Sequence, residues 1–128
     1  MAQTTSKIEG ELNRAKDSLK AAEQLLEFGL FADSVSRSYY AVYHSARALL
    51  LKHSLVPKTH KGVASLFAQH FVKTGKIPKE FMVILKEEKE DRQLGDYEPL
   101  EEFDSQRAEK RLNDAKRFLL QMEKLIRQ

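Results

Sequence analysis

The chain has 128 residues, no cysteine, and a formal net charge of +3 from 22 basic and 19 acidic side chains. The absence of cysteine excludes a disulfide framework, a thiolate metal site and a thiol nucleophile, and it fits a reducing compartment, so we expect a cytoplasmic protein. No apolar run approaches the roughly 20 residues that span a bilayer, and no secretion signal is recognisable. The length suits a single domain over residues 1–128.

Helix-forming residues dominate the composition, and only five glycines and three prolines interrupt them. Alanine, leucine, lysine, glutamate, glutamine and arginine are the residues that most favour an α-helix. The sequence therefore predicts an all-α protein.

The first predicted helix starts near Ser6, because Ser6 and Glu9 have the spacing of a capping box, and it ends before Gly29, which suits a C-terminal cap. Its apolar residues recur at alternating steps of four and three, as a helix with one buried face requires. They are Ile8, Leu12, Ala15, Leu19, Ala22 and Leu26.

The second predicted helix begins at a cap on Asp33 or Ser34 and runs to about Ser54, before Pro57. It is apolar on most of its circumference, which is typical of a buried helix. It nevertheless carries several cations and phenols, which need partners in the fold. They are Arg37, Tyr39, Tyr40, Tyr43, His44 and Arg47.

Three further helices are predicted over about residues 62–73, residues 78–93, and from Asp104 to the end of the chain. Gly95 and Pro99 mark the end of the fourth helix, and the acidic Glu101, Glu102 and Asp104 suit the positive N-terminus of the last one. Short connections between amphipathic helices predict an up-and-down bundle of four to five helices. The long first and last helices are expected to lie antiparallel.

His44 is the first candidate for chemistry, because Arg37 and Arg47 lie two turns before it and one turn after it on the same helix. Such a trio can grip a phosphate and move a proton, which metal-independent RNA cleavage requires. On spacing alone, the more common explanation is a polar line at a helix interface, with the arginines paired to acids of a neighbouring helix.

The second candidate is the segment Arg92 to Tyr97. If the helix continues, Arg92 and Asp96 form a surface ion pair one turn apart; if Gly95 breaks it, the segment is a polar turn from which Tyr97 points at the second helix. The third candidate is the basic loop with His60 and Lys61, which can also be a solvated connection. The histidines are scattered, so we expect no metal site and no cofactor.

The run from Arg37 to Leu50, the loop with His60 and Lys61, and the later Arg92-x-x-x-Asp96-Tyr97 resemble the HEPN-domain proteins of bacteria and archaea. The resemblance covers nearly the whole chain. It implies a helical bundle that forms a homodimer and works with a minimal nucleotidyltransferase partner as a toxin and antitoxin pair. Many members are metal-independent endoribonucleases with a histidine shortly after an arginine of a late helix, in a site across the dimer interface. Here no histidine follows Arg92.

Three hypotheses follow. In the first, the protein is a dimeric binding module, in which the second helix and a turn at Arg92-Asp96-Tyr97 line a groove for a nucleotide, RNA or a partner. The groove residues would be Arg37, Tyr40, Arg47, Tyr97, His60 and Lys61. The resemblance also suggests that Tyr97 is modified by a nucleotidyltransferase.

In the second hypothesis, the protein is an endoribonuclease toxin in which Arg92 and Arg37 hold the phosphate while His44 or Asp96 moves the proton. In the third, it is a scaffold without catalytic activity. Arg37, Arg92 and the acids of the fourth helix would then form a buried ion-pair network.

Overall fold

A computed structural model describes the backbone of residues 2–97 and 103–128 and the side chains of residues 4–96 and 103–128. The helices are α1 (Ala2–Glu27), α2 (Phe31–Lys52), α3 (His60–Phe67), α4 (Lys79–Tyr97) and α5 (Ser105–Arg127), and a π-helical turn (Ala68–Val72) follows α3. The predicted all-α bundle is confirmed. Pro99, Glu101 and Glu102 lie outside the described residues, as does the side chain of Tyr97.

The α1–α2 hairpin reverses the chain at Gly29. Its φ of +76° is a conformation that glycine adopts without strain. The amide of Gly29 donates to Leu26 at 3.0 Å and that of Leu30 donates to Leu25 at 2.9 Å, the two bonds of a Schellman motif. The predicted cap at Gly29 is therefore confirmed.

Both predicted helix starts in this hairpin are wrong. α1 already begins at Ala2, so Ser6 lies inside it, and α2 begins at Phe31 instead of Asp33 or Ser34. The hydroxyl of Ser34 does not cap α2, because it donates to the carbonyl of Ala22 in α1 at 2.8 Å. This buried bond ties the two helices together near their turn.

α2 is the centre of the bundle and packs against all the other helices. Most of its residues are buried, as expected of a helix that is apolar on most of its circumference, and apolar residues of α1 and α5 pack against it. The buried residues include Leu12, Ala15, Tyr39, Val42, Ala46, Leu49, Ala115, Phe118 and Met122.

α1 and α5 lie antiparallel, as expected, and ion pairs mark their register. Lys16 lies 2.8 Å from Glu123, and Glu23 lies 3.1 Å from Lys116. The later residue of α1 thus contacts the earlier residue of α5, as in an antiparallel pair. Glu9 and Arg127 form a further pair in the same order. Such exposed pairs contribute little free energy, but they show which helix faces meet.

α3 starts two residues earlier than predicted, because Thr59 caps it and accepts a hydrogen bond of 2.9 Å from the amide of Gly62. The helix then widens into the π-helical turn, where the amide of Lys73 donates to Ala68 at 2.9 Å. Phe67 and Phe71 are both buried in the core on either side of this change of pitch.

α4 continues through Gly95 to Tyr97, so the predicted end near Gln93 and the polar turn at Arg92-Asp96-Tyr97 are wrong. Gly95 serves close packing instead of ending the helix. A Cβ at this position would lie only 3.1 Å from the Phe103 ring, which folds over α4. α5 then begins where it was predicted, with Asp104 as the cap, accepting from the amide of Arg107 at 2.8 Å.

A buried ion-pair network exists, but it is not the one predicted for a scaffold. Asp91 of α4 pairs with Arg107 at 2.7 Å and with Arg111 at 3.4 Å, and both arginines belong to α5. Arg37 and Arg92 face the other side of the bundle, where each lies over an aromatic ring. Their predicted pairing with the acids of α4 is therefore wrong, apart from the bond between Arg92 and Asp96.

Candidate functional site

A polar line runs along the part of α2 that the other helices leave partly uncovered. Arg37, Tyr40, His44 and Arg47 follow one another at steps of three and four residues, so they lie on one face of the helix. α1 borders this face on one side, and α3 and α4 border it on the other. The line forms the floor of a groove.

Arg92 and Tyr40 form the centre of the site. Nη2 of Arg92 donates to the phenol oxygen of Tyr40 at 2.9 Å, and its guanidinium carbon lies 5.3 Å from the centre of that ring. The guanidinium of Arg37 lies 5.9 Å from the same ring. The side chain of Arg92 is 25% exposed, so a ligand can reach it. Two cations thus surround one phenol.

Asp96 accompanies Arg92 on α4, with its Oδ2 atom 3.0 Å from Nε of the arginine. This is the ion pair expected of a continuing helix. The pair holds the planar guanidinium with one edge toward Asp96, while Nη2 reaches Tyr40. Asp96 is therefore the ion-pair partner of this cation.

His60 joins the site from the first turn of α3. Its Nδ1 atom lies 2.7 Å from the hydroxyl of Tyr39, and its ring stacks on Tyr43 with 4.0 Å between centres. Burial, followed by the charges of Arg92 and Lys89, lowers the pKa of His60. Burial raises the pKa of Tyr39, so this phenol keeps its proton and can donate to the imidazole.

His44 and Arg47 share one acidic partner on α1. Nδ1 of His44 lies 2.6 Å from Oε2 of Glu11, and Nε of Arg47 lies 3.2 Å from the other carboxylate oxygen. Arg47 also donates to the carbonyl of Pro57 at 3.0 Å. The explanation that the arginines pair with acids of a neighbouring helix thus holds for Arg47, and His44 shares the same acid. Glu11 was not singled out from the sequence, since its partners are more than thirty residues away.

Two cavities make up the groove between α1 and α2 and meet at Arg14. One, of about 340 Å³, lies over Tyr40, and the other, of about 470 Å³, extends past Glu11 and Arg47 toward Val56. We call them together the α1–α2 groove. Four cations and two acids line it: Lys7, Arg14, Arg37 and Arg47, with Glu11 and Asp17.

The structure brings most of the predicted site residues together. Arg37, Tyr40, His44, Arg92 and Asp96 are linked through direct contacts, and His60 touches the same aromatic cluster; Arg47 lies one turn along α2. Lys61 is exposed on α3 and takes no part in the contacts of the cluster.

The site offers cations and imidazoles rather than a metal-ligand set. Among the side chains that the structure describes, no three histidine, aspartate or glutamate residues are grouped to hold a metal ion.

None of the described helices is both long and apolar enough to cross a bilayer.

The sequence of this chain matches a family of known proteins over most of its length. The model of the HEPN domain matches residues 8–125. A UPF0332 protein of Gloeobacter violaceus is 46% identical over 86 residues. The matched region covers 67% of this chain and 68% of the Gloeobacter protein. Two proteins of Methanocaldococcus jannaschii, named "Putative toxin MJ0605" and "Putative toxin MJ0142", are 36% and 33% identical over 124 and 119 residues. These matches cover 94% and 93% of this chain and 90% and 81% of the relatives.

Proposed function

Since this chain belongs to the HEPN-domain family, we propose that it is a toxin-type module that binds the phosphates of RNA or of a nucleotide at Tyr40, where Arg92 of α4 reaches the edge of the α1–α2 groove. The observation that carries the proposal is the convergence of Arg92 and Arg37 on the ring of Tyr40. Two of its relatives carry toxin names, which supports the same class of activity.

The chemistry of the groove suits a phosphate. A guanidinium presents several N–H groups in one plane and binds two phosphate oxygens at once. Arg37 is exposed and Arg92 is partly exposed, so both retain donors for a ligand. Tyr40 lies beside both arginines and lines the smaller cavity of the groove.

The binding test uses a fluorescent single-stranded oligoribonucleotide and, separately, adenosine triphosphate. We expect binding to the wild type and a loss of at least tenfold in Arg92→Ala and in Arg37→Ala, since each removes a charge-assisted contact. Arg117→Ala is the matched control, because this arginine is exposed on α5 and pairs with Glu80, outside the groove. Wild-type protein that binds neither probe would refute the proposal.

The proposed assembly is a cytoplasmic homodimer that works with a nucleotidyltransferase-family partner. This part of the proposal rests on the match to the HEPN domain and on the toxin names of two relatives. Light scattering of the purified chain should give twice the mass of 14.8 kDa. Co-expression with the product of a neighbouring nucleotidyltransferase gene should give a complex that survives purification; a monomer without such a complex contradicts this part.

A metal-independent endoribonuclease is the second candidate, and the position of His44 favours it. The His44 and Tyr40 rings lie 6.3 Å apart, so an imidazole adjoins the proposed phosphate site. Arg92 and Arg37 would hold the phosphate and His44 would take the proton. Asp96 is already bound to Arg92 and is the weaker base.

Growth and RNA integrity after expression of the chain test this second candidate. We expect arrested growth and fragmented RNA with the wild type, and neither with His44→Ala or Arg92→Ala. His53→Ala is the control, because this exposed histidine packs on Phe71 at the other end of α2. Normal growth and intact RNA with the wild type would exclude the nuclease and leave the binding module.

A further inference from the structure

We propose that Glu11 is a positioning residue of the groove: it keeps the proton of His44 on Nδ1, so that Nε2 is the proton acceptor offered to a bound hydroxyl. This inference rests on the proposed function, because it assumes that the ligand occupies the α1–α2 groove. It assigns a role to an α1 residue for which the sequence offers no motif.

The contact between Glu11 and His44 is short and shielded. Nδ1 lies 2.6 Å from Oε2, and the two side chains are 19% and 16% exposed. Glu11 is itself held, because its other oxygen meets Arg47, which is anchored on the carbonyl of Pro57. The carboxylate therefore has a fixed position from which to orient the imidazole.

The charge of Glu11 decides which nitrogen carries the proton. Burial alone would raise the pKa of Glu11, but the hydrogen bond and the charge of His44, followed by the charges of Arg47 and Arg14, lower it below its ordinary value. An ionised carboxylate only accepts hydrogen bonds, so Nδ1 must donate. In a neutral imidazole the lone pair is then on Nε2.

Nε2 belongs to a side chain that lines the smaller cavity, together with Arg14, Arg37 and Tyr40. Among residues 4–96 and 103–128, no hydrogen-bond partner of Nε2 is found. A phosphate held by the arginines places its neighbouring groups beside this nitrogen. A ligand that uses both the arginines and the Nε2 acceptor has a hydroxyl next to a phosphate, as every ribonucleotide unit does.

The proton step is simple. The O–H bond of the ligand breaks, its oxygen keeps the electron pair, and Nε2 binds the proton. The imidazolium that results has both nitrogens protonated, and its charge faces the carboxylate of Glu11. The same arrangement of a carboxylate behind an imidazole orients and stabilises histidine bases elsewhere.

The first test reads the tautomer directly, without a ligand. In the full chain labelled with nitrogen-15, two-bond proton–nitrogen spectra should show His44 protonated at Nδ1; His44→Gln identifies its signals. Glu11→Gln should give a mixture, since an amide both donates and accepts. Glu11→Ala should release the proton from Nδ1, while Glu9→Ala, which removes an acid of α1 that pairs with Arg127, should change nothing.

The second test compares a single-stranded oligoribonucleotide with the oligodeoxyribonucleotide of the same sequence. The wild type should bind the ribose form about threefold to tenfold more tightly, because one hydrogen bond distinguishes the two. Glu11→Ala and His44→Gln should lose this difference yet retain binding through the arginines. Equal affinities in the wild type would overturn the inference, even with the expected tautomer.

The two failures can be told apart. A wild-type His44 that carries its proton on Nε2, or a tautomer that is unchanged in Glu11→Ala, refutes the role of Glu11 and leaves the proposed function untouched. Wild-type protein that binds neither oligonucleotide refutes the proposed function. It also refutes the inference that Nε2 of His44 faces a ligand.

Discussion

Arg92 of α4 donates a hydrogen bond of 2.9 Å to the hydroxyl of Tyr40 of α2, across a separation of 52 residues in sequence. Tyr40→Phe removes the acceptor and leaves the ring, so we expect the free energy of unfolding to fall by about 1 kcal/mol. Urea denaturation measures this loss. In Tyr43→Phe the loss should be smaller, because no hydrogen bond of the Tyr43 hydroxyl is found in the described part of the chain. Equal losses would contradict the assignment.

The pKa of His60 should rise in Arg92→Gln, because burial and then the charge of Arg92 lower it in the folded protein. Titration of the imidazole by NMR measures the change. His53 serves as the internal control: burial and the charges of Lys52 and Lys76 lower its pKa, and these groups remain. A shift of both histidines, or of neither, would contradict the electrostatic effect of Arg92 on His60.

The lowered pKa of His60 also has a consequence for stability. The unfolded chain binds a proton below about pH 6.5, where the folded protein resists it. The stabilising contribution of the neutral imidazole is therefore present above that pH and is lost as the pH falls through the folded pKa. Urea midpoints between pH 7.5 and pH 5 should fall less steeply in His60→Gln than in the wild type.

Glu88 should reduce stability at neutral pH. It is fully buried, no hydrogen-bond partner of either carboxylate oxygen is found, and burial raises its pKa well above the ordinary value. Because the folded protein then binds the proton of Glu88 more tightly than the unfolded chain, the stabilising contribution of this group is fully present below about pH 4.5 and is lost as the pH rises through the folded pKa.

We expect Glu88→Gln to remove this dependence on pH and Glu88→Leu to raise the free energy of unfolding at pH 7 by about 1–3 kcal/mol. Urea denaturation at several pH values measures both effects. The exposed neighbour Glu90 is the control, since Glu90→Gln leaves Glu88 in place. A loss of stability in both Glu88 variants would show that the ionised carboxylate stabilises the fold through Arg111.

Lys52 connects the end of α2 to the end of α5. Its Nζ atom donates to the carbonyls of Leu125, Ile126 and Gln128 at 3.1, 2.6 and 2.8 Å. Lys52→Met keeps most of the apolar side chain and removes the charged amino group, so we expect a loss of about 1–2 kcal/mol in the free energy of unfolding. Thermal unfolding measures it. Lys124→Met, an exposed substitution in the same turn of α5, should change little.

Periodicity predicted the core and the helices, because it depends on local spacing. In the predicted stripe of α1, Leu12, Ala15 and Ala22 are buried as expected. The other three members are partly buried and pack against the core: Ile8, Leu19 and Leu26. The helix ends were less predictable, because tertiary contacts decide them. Ser34 donates to Ala22 instead of capping α2, and Gly95 makes room for the Phe103 ring instead of ending α4.

The sequence predicted the site residues on α2 but not Glu11 on α1. Arg37, Tyr40 and His44 stand out on α2 because polar side chains are unusual on a mostly apolar helix. Glu11 does not stand out, since an acid on the polar face of α1 looks like any other. Its role depends on the rotation of α1 against α2, which a single sequence does not encode in any local pattern.

The turn at Gly29 has a consequence for the order of folding. α1 and α2 are joined by three residues, so their contacts close short loops and cost little entropy. We expect the hairpin, with Glu11 already facing His44, to form early, and Arg92 to arrive later with α4. Substitutions between α1 and α2 should then slow folding, whereas those at Arg92 should mainly speed unfolding.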